Sequence, residues 1–416
     1  MNAPENKTVI RLPKFAQVDD DEPKKQPKDF PALWEKWGLQ RGSNGQPLLN
    51  LSNVVSILES DPELAGLVRF DVFLQRMLNK RSQEWSDKDD IALTLYIQRQ
   101  TGLHRIGRDI VGQAVIEVAH KHESNCVREW MDGLRHDGTP RIDQFFSDCL
   151  GSDESEYTRA ASRNFWISMV ARVYKPGCKV DNMVVLEGAQ GLGKSTSLRV
   201  VGGDWFAEQH ESATNPKAFA EILQGKLLVE ISEMDAFSRV EVSRVKQTIS
   251  CSADRYRASY GRYAIDHPRQ CVFVGTTNRD DWSRDETGAR RFWPITCGEI
   301  RVDVIEANRD QFFAEAVKRH KAGEPHWLMP DEQTREEQEE RYQVDAWQEK
   351  IAEIVKGESG VTTAFVAEKM GIELVRLDRA TEGRIGKCLR FMGWGRKRER
   401  VGTQKKLAYV FRPPVE

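Results

Sequence analysis

Gly188, Gly193, Lys194 and Ser195 stand at the spacing G-x-x-x-x-G-K-[ST] within "LEGAQGLGKST". That pattern serves one kind of chemistry. Glycines let the backbone come close to a polyphosphate, while successive N–H groups and a helix N-terminus point at its oxygens. Lys194 would reach the β- and γ-phosphates, and the Ser195 hydroxyl would ligate Mg2+. The whole run of Gly188, Ala189, Gln190, Gly191, Leu192, Gly193, Lys194, Ser195 and Thr196 is therefore a nucleotide-binding candidate. ATP and Mg2+ are the expected cofactors. The flanks agree: "NMVVLEG" is an apolar strand ending in glycine, and "KSTSLRVVG" opens as a helix.

Three more elements follow in order. "KLLVEISEMDAF" is an apolar strand ending in acids, as needed to hold a magnesium shell and polarise a water. Laid on the pattern apolar-Asp-Glu-apolar-Asp, "ISEMD" puts Glu233 at the water-activating position and Ser232 where Asp is expected. The metal-side acid stays open between Glu230 and Asp235, so Ser195, Glu230 and Glu233 are the metal candidates. "QCVFVGTTN" ends in Asn278, a side chain suited to lie between the γ-phosphate and the water. The following "NRDD" resembles the N-K-x-D guanine selector, but "DETG" comes after it rather than before, so the order excludes a GTPase. "TGARRFWPI" supplies Arg290 and Arg291, either of which could stabilise transition-state charge on a neighbouring subunit's γ-phosphate.

Between the acids and Asn278 lies "DRYRASYGRYAIDHPRQ", which reads as a hairpin with Tyr260 and Gly261 near its tip. Arg255, Arg257 and Arg262 suit backbone phosphates, and Tyr260 and Tyr263 suit base stacking without regard to sequence. Single-stranded DNA is the implied partner.

The elements that must position these residues come from the rest of the 416-residue chain, long enough for two or three domains. Residues 1–28 are rich in Pro, Lys and Asp and predict a disordered tail. Residues 29–150 carry a helical pattern; Ile110, Ala114, Val115 and Val118 share one face. Residues 151–343 open with an amphipathic helix, "SEYTRAASRNFWISMVARVY", and then alternate strand and helix, which predicts a parallel α/β sheet. Residues 344–416 read as three short helices and a basic hairpin, a winged helix-turn-helix for duplex DNA. Arg396, Lys397, Arg398, Arg400, Lys405 and Lys406 crowd that hairpin, although net charge is only −2. The seven cysteines are scattered without a C-x-x-C, so neither a zinc knuckle nor a disulfide framework is indicated. No window approaches a membrane span and no apolar signal core opens the chain, so the bacterial host cytosol is the expected location and no membrane the expected partner.

Taken in order, "VREWMDGLRHDGTPRI", "VARVYKPGCKVDNMVVLEGAQGLGKST", "EISEMDAF", "YRASYGR", "PRQCVFVGTTN" and "DETGARRFWPI" resemble the virulence-associated E family of phages and mobile elements. The resemblance implies an AAA+ P-loop core of the superfamily 3 helicase branch. It further implies a homo-oligomeric ring, a hexamer, that unwinds DNA during replication and works beside partners such as a primase. On that branch's pattern Arg291 is favoured as the finger, and the internal hairpin lies in the ring's channel. A second reading is a non-processive replication initiator that uses ATP as an assembly switch.

Overall fold

The computed structural model describes residues 29–209, 216–234, 239–257, 263–278, 291–340, 347–372, 377–401 and 406–413. The tail assigned to residues 1–28 lies outside them. The chain enters through α1 (Phe30–Lys36), capped by Asp29, whose carboxylate accepts from Ala32 N. Asn50 does the same for α2 (Leu51–Ser60). Ser86 and Asp89 form a reciprocal capping box at α3 (Asp87–Gln100), and α4 (Arg108–Lys121) follows. As predicted, Ala114, Val115 and Val118 are buried along one face of α4, and Ile110 packs at its margin.

This region is not wholly helical, as its pattern implied. β1 (Val68–Asp71) and β2 (Arg76–Asn79) form an antiparallel hairpin, and β3 (Glu123–Ser124) joins β1 in parallel. The strands are two to four residues long and mix burial irregularly, too short for a period of two to register. Asp71, fully buried, anchors them: its carboxylate accepts from the backbone N–H of Phe73, Leu74 and Cys126.

Two short helices, α5 (Cys126–Gly133) and α6 (Phe145–Leu150), lead to α7 (Glu156–Tyr174). α7 is not amphipathic as expected, because fifteen of its nineteen residues are buried. Trp166 stacks on Phe312 with centroids 5.0 Å apart and meets the edges of Phe145 and Phe313 at the same distance. A helix packed on all sides shows no polar stripe.

The sheet comprises β4 (Met183–Glu187), β5 (Phe206–Gln209), β6 (Leu228–Ile231), β9 (Val272–Thr277) and β10 (Phe292–Thr296). All are parallel, in the order β10-β4-β9-β6-β5. Residues alternate between faces. Val184 and Leu186 meet α7, α8 (Lys194–Gly202) and α11 (Val302–Lys321), whereas Met183 and Val185 meet α9 (Pro216–Leu223) and α10 (Arg239–Ser250). Both faces are thus covered, which is what lets four of the five strands read as continuous apolar runs. Between α10 and β9, β7 (Ala253–Tyr256) and β8 (Ile265–Pro268) pair antiparallel as the expected internal hairpin.

After α12 (Asp331–Glu340), α13 (Gln348–Val355), α14 (Thr363–Lys369) and α15 (Arg379–Phe391) enclose Ile351, Val366, Ile385 and Leu389. The hairpin of β11 (Gly395–Val401) and β12 (Lys406–Arg412) closes this cluster with Phe411, whose backbone bridges to Val361. Among the described residues no helix is long and apolar enough to cross a membrane.

One buried carboxylate fastens the segment before α6 to α11. Glu315, 3% exposed, accepts from Arg141 N at 2.6 Å and Ile142 N at 3.1 Å, and Arg319 Nη1 donates to its other oxygen at 3.2 Å. Removing it strands two amides, while Arg319 keeps its pairs with Asp143 and Glu324. Glu315→Ala is expected to cost about 3 kcal/mol in urea unfolding, and Glu315→Gln, which keeps an acceptor, clearly less.

Candidate functional site

β4 ends at Glu187, the loop turns, and α8 begins at Lys194 with Gly193 as its cap. Gly193 has φ 94°, a left-handed cap that only glycine adopts without strain. At Gly188, φ 146°, a Cβ would press on Leu192 Cδ1 at 2.9 Å and on the Cys297 carbonyl at 3.1 Å, so the loop can close only with hydrogen there. Cys297 itself is inert backing: burial pushes its thiol up to about 12, and it stays protonated. Lys194 is 7% exposed, and its ammonium donates to Gly188 O at 2.6 Å, Ala189 O at 2.9 Å and Asn278 Oδ1 at 3.3 Å. One cation is therefore held between the loop and the tip of β9.

The acids arrive from β6. Glu230, fully buried, takes the Ser195 hydroxyl on Oε1 at 2.6 Å and the Thr276 hydroxyl on the same oxygen at 2.7 Å. Glu233, three residues on, is exposed at φ 55°, an uncommon conformation for a side-chain-bearing residue. Its neighbour Met234 is completely buried against Gly275 of β9, where a Cβ would collide with the Met234 sulfur. Packing of Met234 across the sheet thus fixes the backbone that presents Glu233.

Loop residues 190–196, Glu233 and Asn278 line a single cleft of about 310 Å3 at the C-terminal ends of the strands, together with Glu208, Thr276 and Thr277, and Glu230 lies buried behind Ser195. That is where parallel α/β sheets bind ligands. The residues fit a magnesium nucleotide: a glycine cradle that side chains would fill, a fixed ammonium, and a hydroxyl against a buried carboxylate. Among the described residues no three His, Cys, Asp or Glu side chains cluster as a metal cage. Magnesium bound with phosphates needs none, since one or two protein oxygens suffice.

The remaining predicted residues lie elsewhere. Arg291 directly precedes β10, whose first residue pairs with the first residue of β4. The strand places it roughly 15 Å from the loop, at the opposite end of the sheet. There it lines a cavity of about 810 Å3 with Lys175, Asn182, Trp293 and His326. On the internal hairpin Arg257 and Tyr263 are exposed, but Arg255 pairs across the strands with Asp266 at 3.1 Å. On the C-terminal hairpin Lys397 and Arg398 are exposed, and Arg396 stacks over Tyr409 with its guanidinium carbon 3.6 Å from the ring centre. Arg400 lies on β11 and Lys406 on β12. Asp235, Tyr260, Arg262, Arg290 and Lys405 lie outside the described residues.

Sequence reasoning missed Thr276, Gly275 and Glu208. The first was within reach, since it stands two residues before Asn278 and so shares its face of β9. Glu208 sits on β5, a half-buried edge strand with no apolar run to mark it.

A parallel five-stranded sheet, with a glycine cradle, lysine and hydroxyl where an inner strand meets a helix, defines an α/β protein of the phosphate-loop type. More narrowly, the chain belongs to the virulence-associated protein E-like family, whose domain model matches residues 131–345. Among solved structures it is similar to the A form of the apo NrS-1 C-terminal region, at 13% identity and TM-score 0.47, over 83% of this chain and 96% of that one. A further apo structure of the NrS-1 C-terminal region matches over the same shares at 15% identity and TM-score 0.43. A RuvB point mutant from Thermotoga maritima matches at 14% identity and TM-score 0.23, over 59% of this chain and 93% of that one. No curated protein matches.

Gly275→Ala is expected to expel Met234 and cost about 1–3 kcal/mol by overpacking. It should also displace the backbone that presents Glu233 while the loop stays intact, so nucleotide affinity should fall little. Separate measurements of melting and nucleotide binding check this.

Proposed function

We propose that this chain is an ATP-driven DNA helicase of the superfamily 3, AAA+ type, acting in replication of a phage or other mobile element. The observation that carries the reading is the convergence of Lys194, the Ser195–Glu230 pair, Glu233 and Asn278 on one cleft. Lys194 holds the β- and γ-phosphates, and the backbone of residues 188–196 wraps them. Ser195, backed by Glu230, holds Mg2+, which when bound neutralises charge on the phosphates. Glu233 draws the proton from the attacking water, and Asn278, already against Lys194, orients that water.

Arg291 cannot serve its own cleft from the far end of the sheet, which supports a role in the cleft of a neighbouring copy in a hexameric ring. The internal hairpin runs into β9 within a few residues, so Arg257, Arg262, Tyr260 and Tyr263 would follow Asn278 while gripping one strand. Arg255 is tied to Asp266 and contributes less to that grip. Residues 344–416, three helices and a hairpin, suit a winged helix that meets duplex phosphates through Arg396, Lys397, Arg398, Arg400, Lys405 and Lys406. Residues 151–343 would then be the motor and 29–150 an N-terminal domain, working beside replication partners such as a primase.

Strand displacement with hydrolysable ATP tests the reading. Wild type should unwind; Lys194→Ala should neither hydrolyse nor unwind; Glu233→Gln should bind ATP and stall. ATP-dependent assembly on DNA without unwinding under any substrate geometry would instead establish the initiator.

Arg291→Ala should lower hydrolysis by about 10³-fold. Mixing it with Lys194→Ala should restore part of the activity at mixed interfaces, in a coupled-enzyme assay. Full activity of a monomer defeats the trans role.

A further inference from the structure

Glu230 is an unusual choice for the acid beside Ser195. The strand-tip position where a shorter aspartate is expected holds Ser232, and Glu230 stands two residues back on the same face of β6. From there the extra methylene of glutamate extends toward Ser195, but it also adds one more rotatable bond to immobilise. A carboxylate that drifts by a rotamer would leave the Ser195 hydroxyl without its acceptor.

The second anchor is on β9. Thr276 Oγ1 donates to the same Oε1 that accepts from Ser195, at 2.7 and 2.6 Å, and Thr276 is 5% exposed. β9 lies between β6 and β4, pairing Val274 with Glu230 and Thr276 with Leu186. Thr276 therefore reaches Glu230 from a strand bonded to both the acid's strand and the loop's strand. Hydrogen bonds behind a metal ligand orient it, and an acceptor such as Glu230 raises the basicity of the Ser195 oxygen that donates to it. Thr276 contributes the orientation, by holding that acceptor in place. With Glu230 fixed, the Ser195 proton is drawn toward the carboxylate, and a serine lone pair is left to face a cation.

We propose that Thr276 is a positioning residue for magnesium, its hydroxyl locking Glu230 so that Ser195 presents a metal ligand. The inference rests on the nucleotide reading of the cleft and assigns that cleft a further member. It also places on one face of β9 both Asn278, which meets Lys194, and Thr276, which meets Glu230.

Affinity for a fluorescent ATP analogue, measured on the full chain with Mg2+ and with EDTA, tests it without any turnover. Wild type is expected to bind tighter with Mg2+. Thr276→Val, nearly the same shape without the hydroxyl, should lose about 10-fold of that enhancement and keep its EDTA affinity. Thr276→Ser should retain the enhancement. Thr276→Ala, which puts no second methyl into the strand, should behave as Thr276→Val, and it replaces that variant if Thr276→Val melts far below wild type. Full magnesium enhancement in the variants lacking the hydroxyl overturns the proposal and leaves the nucleotide reading standing. Equal loss in Thr276→Ser assigns the effect to the methyl group and overturns it likewise. A wild type that binds no nucleotide in either condition overturns both.

Discussion

β9 is hydrogen-bonded on both sides, to β4 and to β6, and the cleft depends on that double pairing. The loop leaves from β4 and the acids from β6, strands that do not touch each other. Their relative height is set through β9, whose register aligns Leu186 with Thr276 on one side and Glu230 with Val274 on the other. A slip of one residue would turn Thr276 to the opposite face and away from Glu230, so the carboxylate that accepts from Ser195 would lose its second anchor. Parallel pairing buried on both faces resists such slips, because each inward residue already has a fitted neighbour.

How far this was legible in the chain follows from the range of the interactions. "NMVVLEG", "KLLVEIS", "QCVFVGTTN" and "RRFWPITC" each carry an apolar run and end in polar groups, so strands and tips could be read locally. β5 could not, since Phe206, Ala207, Glu208 and Gln209 are all half-buried at the sheet's edge and show neither a run nor an alternation. α7 was legible as a helix but not as a buried one, because its Ser, Asn and Arg residues mimic a polar face. In fact Ser162 donates to the Ile142 carbonyl, Asn164 to that of Leu328, and Arg172 to those of Arg269 and Val180. At the cleft, residue types named Lys194, Glu233 and Asn278. The Thr276–Glu230 contact spans 46 positions, and no local pattern encodes it.

Buried cations organise the root of the internal hairpin in a way that net charge conceals. Arg269, 4% exposed, pairs with Asp254 of β7 and donates to the Thr248 carbonyl at the end of α10. Its own carbonyl accepts from Arg172 of α7 and from Gly177 N. A guanidinium forks to several acceptors at once, which suits a junction where helix end, strand and loop meet. Lysine at this position would satisfy fewer of them.

The same root is clamped from outside the sheet. Gln270 donates to the Val72 carbonyl at 2.8 Å, and His267 meets Gln75 at 3.2 Å while stacking on Tyr256 with centroids 4.1 Å apart. In mechanical terms the hairpin is a lever whose fulcrum is shared. Its short arm is the run from Pro268 to Val272, and its bearing is the turn between β1 and β2. The root is therefore bound twice, to β9 along the chain and to that turn through Gln270 and His267, so the N-terminal region braces the hairpin from outside the sheet.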